Sequence, residues 1–306
     1  MTAAYLAPPP PRGYEKQLDQ ELGRLGAAVV ATHGRLRIAE GPPVHAAWSA
    51  NTWWDAEHIP VRSIGHAAQE LRDRQRNWAL CAPTHRGRGE LVADKLPHVA
   101  ANPLELGQVA PDAPLGSWTL FERDLVLAAT RCSNPFPNGE PAFVEDRAGP
   151  PSRAYPKLWE AFARPRRQPG PGDRCLDLGA APGGWTWLLA RTGAQVVAVD
   201  KAPLARDVAA LPNVTWQEGS AFALEPESFE VIDWWCNDII AYPDRLLDLA
   251  THWLASGRVR NLVCTIKFQG TTDHGVAAGF AALPNARLFH LDQNKHELTC
   301  AVLDSV

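Results

Sequence analysis

The segment Leu176-Asp177-Leu178-Gly179-Ala180-Ala181-Pro182-Gly183-Gly184-Trp185 leaves a short apolar run and enters a stretch with helical spacing, and no other part of the chain restricts the fold as much. Glycines at a strand-to-helix turn tolerate backbone angles closed to other residues and let a ligand approach the main chain. Gly183 and Gly184 fall where the helix begins, and the free N–H groups of a first turn can meet a carboxylate. Asp200 stands 21 positions beyond Gly179, after the next apolar run, where an acidic side chain accepts hydrogen bonds from ribose hydroxyls in nucleotide-binding units. The loop is not the GxGxxG of dinucleotide sites. The structural alternative is a tight connection, with Asp200 doing no more than capping the following helix.

The rhythm around this loop supports a parallel sheet. Apolar runs at 174–178, 195–199, 213–216, 231–236 and 261–266 alternate with helical stretches, as in βαβ units. Two further runs, 286–291 and 298–303, flank the polar stretch 292–297 and suit an antiparallel pair. Residues 133–152 are dense in proline, glycine and polar side chains, so a domain boundary is placed there, giving domains 1–146 and 147–306. At 306 residues, two domains are the natural expectation. Upstream, 13–25 and 63–78 have helical spacing, 27–32 and 35–38 read as strands turning at His33-Gly34, and 118–130 reads as a hairpin turning near 122–124. The first domain is therefore a small α+β unit.

Composition narrows the function classes. With 45% hydrophobic and 21% charged residues, and no apolar stretch of bilayer length, the chain is not expected to cross a membrane. The proline-rich start, 1–12 with its run Pro8 to Pro11, lacks the basic and apolar regions of a secretory signal, which points to the cytoplasm. Cys81, Cys132, Cys175, Cys236, Cys264 and Cys300 show no metal or redox spacing and read as free thiols. His290 and His296 have no partner pattern, so no metal is expected. A formal charge of −4 does not advertise a nucleic-acid binder, and the case for RNA must come from the site. Basic clusters at 72–76, 85–88 and 164–167 suit a solvated face or an RNA contact equally well. Trp185, Trp187, Trp234 and Trp235 read as core packing.

The sequence LDLGAAPGGW resembles the S-adenosylmethionine-binding motif of the FtsJ-like ribose methyltransferases. The resemblance spans about 149–302 and is strongest to the RlmM-like branch, whose members methylate a cytidine ribose in large-subunit ribosomal RNA. It is carried by LDLGAAPGGWTW, by Val199-Asp200-Lys201-Ala202-Pro203, by 150–162, by Asp233-Trp234-Trp235-Cys236-Asn237-Asp238, by Pro243 and by Trp253-Leu254. It implies a Rossmann-type α/β domain, with a mostly parallel, doubly wound sheet and an antiparallel last strand, binding S-adenosylmethionine through Asp177, Gly179, Ala180, Ala181, Pro182, Gly183, Gly184, Trp185, Asp200, Ser220 and Asp238. It also implies a catalytic tetrad of Lys157, Asp238, Lys267 and Glu297, each at an element end. Ligands of open α/β sheets bind outside the carboxyl ends of the strands, where Asp238 and Lys267 would face one crevice. Two neighbouring lysines depress each other's pKa, so the expectation is Lys267 as base, with Asp238 and Lys157 orienting it and Glu297 completing the network. Taken singly, Lys157 suits a solvated helix and Glu297 a strand start.

Two departures matter. Before the catalytic domain, Gly13-Tyr14-Glu15-Lys16, Glu21-Leu22 and 132–138 are similar to the branch's ferredoxin-like unit, but the region is too short for that unit plus a full THUMP domain. A reduced ferredoxin-like or THUMP-like RNA-binding module is expected, which leaves the ribosomal target open. After Trp216, where the family places an acidic residue near the adenine, Ser220 stands instead, with Glu218 two residues earlier. A hydroxyl accepts more weakly than a carboxylate. The competing readings are a methyltransferase for another RNA, a protein or a small molecule, and a non-catalytic RNA-binding or assembly protein. The former does not need two lysines at these positions.

Overall fold

A computed structural model describes residues 1–10 and 13–304; Pro11 and Arg12, at the end of the proline-rich start, and the last two positions of the expected second domain lie outside the described residues. The chain divides into two units, one of Met1–Leu104 with Ala110–Ala142, the other of Glu105–Val109 with Phe143–Val306. The passage at Ala142–Phe143 lies four residues before the expected boundary, and the short segment Glu105–Val109 belongs to the second unit.

In order, the first unit contains β1 (Thr2–Leu6), α1 (Glu15–Arg24), β2 (Ala28–His33), β3 (Leu36–Glu40), β4 (Asn51–Trp54), β5 (Glu57–Pro60), α2 (Ile64–Arg74), β6 (Trp78–Leu80), α3 (Arg86–Ala93), β7 (Gly116–Glu122), β8 (Leu125–Ala129) and β9 (Arg131–Cys132). They build two sheets, of order β2-β3-β1-β4-β9 and β5-β8-β7-β6. Thr2–Leu6, which no periodicity marks, is the central strand of the first sheet, antiparallel to both β3 and β4. Ala3 to Leu6 are buried on both faces, so no alternation betrays the strand, and the prolines begin only after it. Its core gathers Ala4, Leu6, Leu36, Ile38, Trp53 and Leu127, while Leu71, Trp78, Trp118 and Val126 fill that of the second sheet.

The helix expected at 63–78 is shorter than its periodicity suggests. Ser63 caps α2 by accepting from the His66 N–H, and the helix stops at Arg74. Trp78 lies two helical turns beyond Leu71 in spacing, yet it pairs with Gly116 in β6 and turns its Nε1–H back to the Leu71 and Gln75 carbonyls, both at 2.9 Å. One indole thus satisfies carbonyls that a helix end leaves without partners.

The second unit contains α4 (Tyr155–Ala163), β10 (Arg174–Leu178), α5 (Gly184–Arg191), β11 (Gln195–Asp200), α6 (Arg206–Ala209), β12 (Val214–Glu218), β13 (Ile232–Asn237), α7 (Pro243–Ala255), β14 (Val259–Lys267), α8 (His274–Ala281), β15 (Ala286–Phe289) and β16 (Glu297–Val302). All seven expected strands pair in one sheet of order β12-β11-β10-β13-β14-β16-β15. The first five are parallel, and β16 runs antiparallel between β14 and β15. This is the doubly wound Rossmann-type arrangement. Strands β10, β13, β14 and β16 are buried almost throughout, as both faces of a helix-covered sheet demand, and Trp235, Trp253 and Phe280 fill the space between layers. The chain winds outward from β10 to β12, then returns to lay β13 on the other side of β10. The carboxyl ends of β10 and β13 therefore flank the switch point, where an open α/β sheet offers a crevice.

Candidate active site

At the end of β10 the chain turns through Gly179, whose φ of +75° is a left-handed conformation. A side chain is excluded twice over, because a Cβ there would fall 2.6 Å from Ile239 Cγ2. Gly183 repeats the device at the start of α5, with φ +114° and a Cβ position 3.0 Å from Val208 Cγ1. Between the two glycines, the N–H groups of Gly179 and Ala180 donate to the Val199 carbonyl, at 3.0 and 3.3 Å. Pro182 follows Ala181 through a cis bond, and its carbonyl accepts from the Ala205 N–H at 2.8 Å. The loop is thus pinned to β11 and to the segment beyond it.

Asp200, at the end of β11, accepts from the Ala181 N–H through one oxygen at 3.0 Å and from the Ala202 N–H through the other at 2.9 Å. Each oxygen keeps a lone pair for a further donor. Ser220 uses its Oγ to accept from the Phe222 N–H at 3.3 Å, capping a short 3-10 turn, and retains its own O–H to donate. Two expected site residues act from beneath the loop. Asp177 is 1% exposed and accepts from Thr186 Oγ1 at 2.6 Å, tying β10 to the first turn of α5. Burial raises its carboxyl from the usual 3.8 to about 7, with Asp238 and Asp200 adding repulsion against the Thr186 hydrogen bonds. Trp185 is likewise buried and donates its Nε1–H to the Ala154 carbonyl, joining α5 to the start of α4. Trp187, Trp234 and Trp235 are core side chains.

The four tetrad residues come from four elements. Lys157 lies in the first turn of α4, a helix buried on all sides; Asp238 follows β13; Lys267 ends β14; Glu297 begins β16. Lys267 and Glu297 are direct cross-strand neighbours. Lys157 Nζ is 2.7 Å from Glu297 Oε1 and 3.4 Å from Asp238 Oδ1. Lys267 Nζ reaches the same Asp238 Oδ1 at 3.1 Å and also donates to the Asp238 main-chain carbonyl. Side-chain exposures of 10% for Lys157 and 9% for Glu297, against 22% for Lys267 and 20% for Asp238, make Lys267 the more open of the two lysines.

Two supporting residues went unnoticed in the sequence. Ile239 packs its backbone and Cγ2 against Gly179, holding the ends of β10 and β13 together. Asn237, fully buried, accepts from the Ile239 N–H at 2.9 Å through Oδ1, shaping the turn that presents Asp238. Only an asparagine directly before the aspartate signalled it. Among the described residues, no group of three His, Cys, Asp or Glu could hold a metal ion.

These residues fit S-adenosylmethionine. Two positive-φ glycines open the main chain, the first turn of α5 offers N–H groups to a carboxylate, Asp200 has acceptor capacity for hydroxyls, and the tetrad stands at the adjoining strand ends.

Residues 150–251 match the model of the FtsJ-like methyltransferases. The matched residues lie within the second unit. A curated relative named ribosomal RNA large subunit methyltransferase M, from Halorhodospira halophila, is 38% identical over 135 residues, covering 43% of this chain and 39% of that protein. Relatives of the same name from Alkalilimnicola ehrlichii and Cellvibrio japonicus are 38% and 34% identical, covering 46% and 48% of this chain and 40% and 43% of their own lengths. The match thus spans about two fifths of the length of these relatives. The FtsJ-like model includes the cradle, Lys157 and Asp238, and ends before Lys267 and Glu297, which the sheet returns to the same point.

Proposed function

We propose that this chain is an S-adenosylmethionine-dependent RNA ribose 2'-O-methyltransferase acting on large-subunit ribosomal RNA. The observation that carries the reading is the sharing of Asp238 Oδ1 by two lysines beside the glycine cradle. Gly179, Ala180, Ala181, Pro182, Gly183, Gly184, Asp200, Ser220 and Asp238 would hold the cofactor, supported from below by Asp177 and Trp185. The cofactor supplies an electrophilic methyl group on a sulfonium.

A ribose hydroxyl is a weak nucleophile until its proton is held. As a neutral amine, Lys267 has two N–H bonds, and Asp238 offers both an Oδ1 and a main-chain carbonyl to receive them. The remaining lone pair would then be left to accept the proton of the 2'-hydroxyl, so Lys267 would hold that oxygen as a nucleophile toward the methyl group the cofactor would supply. Lys157, bracketed by Glu297 and Asp238, holds Asp238 in place.

The first unit is read as a reduced, ferredoxin-like or THUMP-like RNA-binding module. Its β1-α1-β2-β3 connectivity, in a sheet of order β2-β3-β1-β4, supports this reading. Cytoplasmic residence follows from a ribosomal substrate; among the described residues no helix is long and apolar enough to cross a membrane, and the cysteines are free. The deciding experiment maps 2'-O-methyl marks in cellular RNA with and without the protein. Loss of one ribose mark in large-subunit ribosomal RNA is the expected result. Loss of a base or protein methyl mark instead would overturn the proposal.

A further inference from the structure

The basic clusters visible in the sequence are largely consumed within the fold. Arg72 donates to the Lys95 carbonyl and Gln69, Arg74 pairs with Glu57 and Glu70, and Arg86 pairs with Glu90. In the second unit, Arg164 stacks on Phe289 and Arg167 donates to the Asp304 carbonyl. Three arginines of the first unit that pair with no carboxylate among the described residues, Arg62, Arg88 and Arg123, line one cleft of about 760 Å³, with Ser63, Ile64, Gly65 and Asp124 completing its wall.

Three separate segments build this cleft. The β5–α2 junction contributes Arg62, α3 contributes Arg88, and the β7–β8 turn contributes Arg123 and Asp124. The Val61 N–H donates to the Asp124 carbonyl at 2.7 Å, and Arg88 Nε donates to the Arg123 carbonyl at 2.9 Å, so the segments are fastened through backbone groups. The Arg88 bond fixes its guanidinium while leaving both terminal nitrogens free to donate. Among the described residues no carboxylate pairs with Arg62, Arg88 or Arg123, and Asp124 is the one acid in the lining. Ile64 and Gly65 add first-turn N–H groups of α2 to the same wall.

Three unpaired guanidiniums around a concave, open wall suit a chain of phosphodiesters, which takes charge-assisted hydrogen bonds from several arginines at once. They are notable in a protein of net charge −4, because phosphate contacts need local positive potential. We propose that the Arg62–Arg88–Arg123 cleft binds the phosphodiester backbone of RNA. The inference rests on the reading of this chain as an RNA methyltransferase and assigns the RNA contact of its first unit.

The test uses the full chain and a fluorescein-labelled single-stranded oligouridylate, titrated by anisotropy over a range of KCl concentrations. Among the described residues Arg62 and Arg123 make no side-chain bond, so Arg62→Gln/Arg123→Gln should keep the wild-type melting temperature and cofactor affinity. Its RNA affinity should fall about tenfold at moderate salt, and the slope of log affinity against log salt should shrink by about 1.4, at roughly 0.7 per phosphate contact. Arg62→Lys/Arg123→Lys should retain the wild-type slope. Unchanged affinity and slope in the glutamine variant would overturn the site while leaving the proposed reaction intact. Displacement of the RNA by millimolar inorganic phosphate at constant ionic strength would also overturn it, in favour of a small-anion site. Weakened oligouridylate binding in a protein whose wild type methylates no ribosomal RNA would uphold the site and defeat the proposed reaction instead.

Discussion

Lys157 and Lys267, one in a buried helix and the other at a strand end, converge on a single carboxylate oxygen, Asp238 Oδ1, at 3.4 and 3.1 Å. The carboxylate thus holds the ends of two lysine side chains together, and the more exposed of them is Lys267.

Lys267→Ala should abolish methyl transfer while sparing the cradle. The expected loss in turnover is about 10²–10⁴-fold, the usual contribution of a general base. Cofactor affinity by calorimetry should stay within about twofold of wild type, because the hydrogen bonds that pin the glycine loop do not involve Lys267 and Asp238 keeps Lys157 as a partner. Equal loss of binding and turnover would refute the assigned role.

Glu297→Gln removes the closest partner of Lys157, at 2.7 Å, with both side chains about nine-tenths buried. Lys157 keeps Asp238, so the expected destabilisation is about 1–3 kcal/mol rather than that of a fully orphaned charge. Urea unfolding would measure it. Lys157→Met/Glu297→Gln should recover part of the stability, since it no longer buries an unmatched ammonium, yet it should remain inactive.

Asp177 gives the fold a pH dependence of definite sign. Its carboxyl is raised by burial from 3.8 to about 7, so between these values the folded chain holds a proton that the unfolded chain has released. Its contribution to stability is therefore present at low pH and lost as pH rises through that window. Asp177→Asn removes the charge and keeps an acceptor for Thr186. The urea midpoint of this variant relative to wild type should rise between about pH 4 and pH 7 and level off above. A constant difference would count against a buried, perturbed carboxyl.

Gly179→Ala should distort the cradle, since it combines a φ of +75° with a Cβ 2.6 Å from Ile239 Cγ2. Cofactor affinity should fall by about tenfold or more, together with a stability loss exceeding about 1 kcal/mol. Gly26→Ala shares the positive φ but meets nothing within 4 Å. It should cost stability alone, and calorimetry on the two variants separates strain from site geometry.

Ser220→Asp should tighten cofactor binding. Aspartate caps a helical turn as well as serine, so the bond from the Phe222 N–H survives, and the carboxylate offers a stronger acceptor to an adenine amino group. A gain of about threefold to tenfold is expected from one improved hydrogen bond. No gain would place the adenine away from Ser220.

Much of the second unit is legible in the sequence because its strands are short apolar runs with helical stretches between them, and because each tetrad residue marks an element end. The first unit is harder. Strand β1 carries no alternation, since both its faces are buried, and it lies beside a proline run that suggests irregular structure. Trp78 keeps helical spacing with Leu71 yet belongs to a strand, because its indole reaches back to cap the helix it appeared to extend. The basic clusters mislead for a related reason: charge in sequence says nothing of the carboxylate that folding brings beside it, as Glu57 and Glu70 are brought to Arg74.

Local pattern and residue type determined the glycine-rich turn and the seven strands of the second unit, while the tetrad residues came from the resemblance that those motifs carry. These depend on backbone angles, side-chain periodicity and chemistry that neighbouring residues already express. Only the tertiary structure decided that both lysines meet one oxygen of Asp238, that Asp177 works from beneath the loop, and that unpaired arginines gather at the start of α2. Those outcomes depend on distances between segments far apart in the chain, which strand order and helix packing set together.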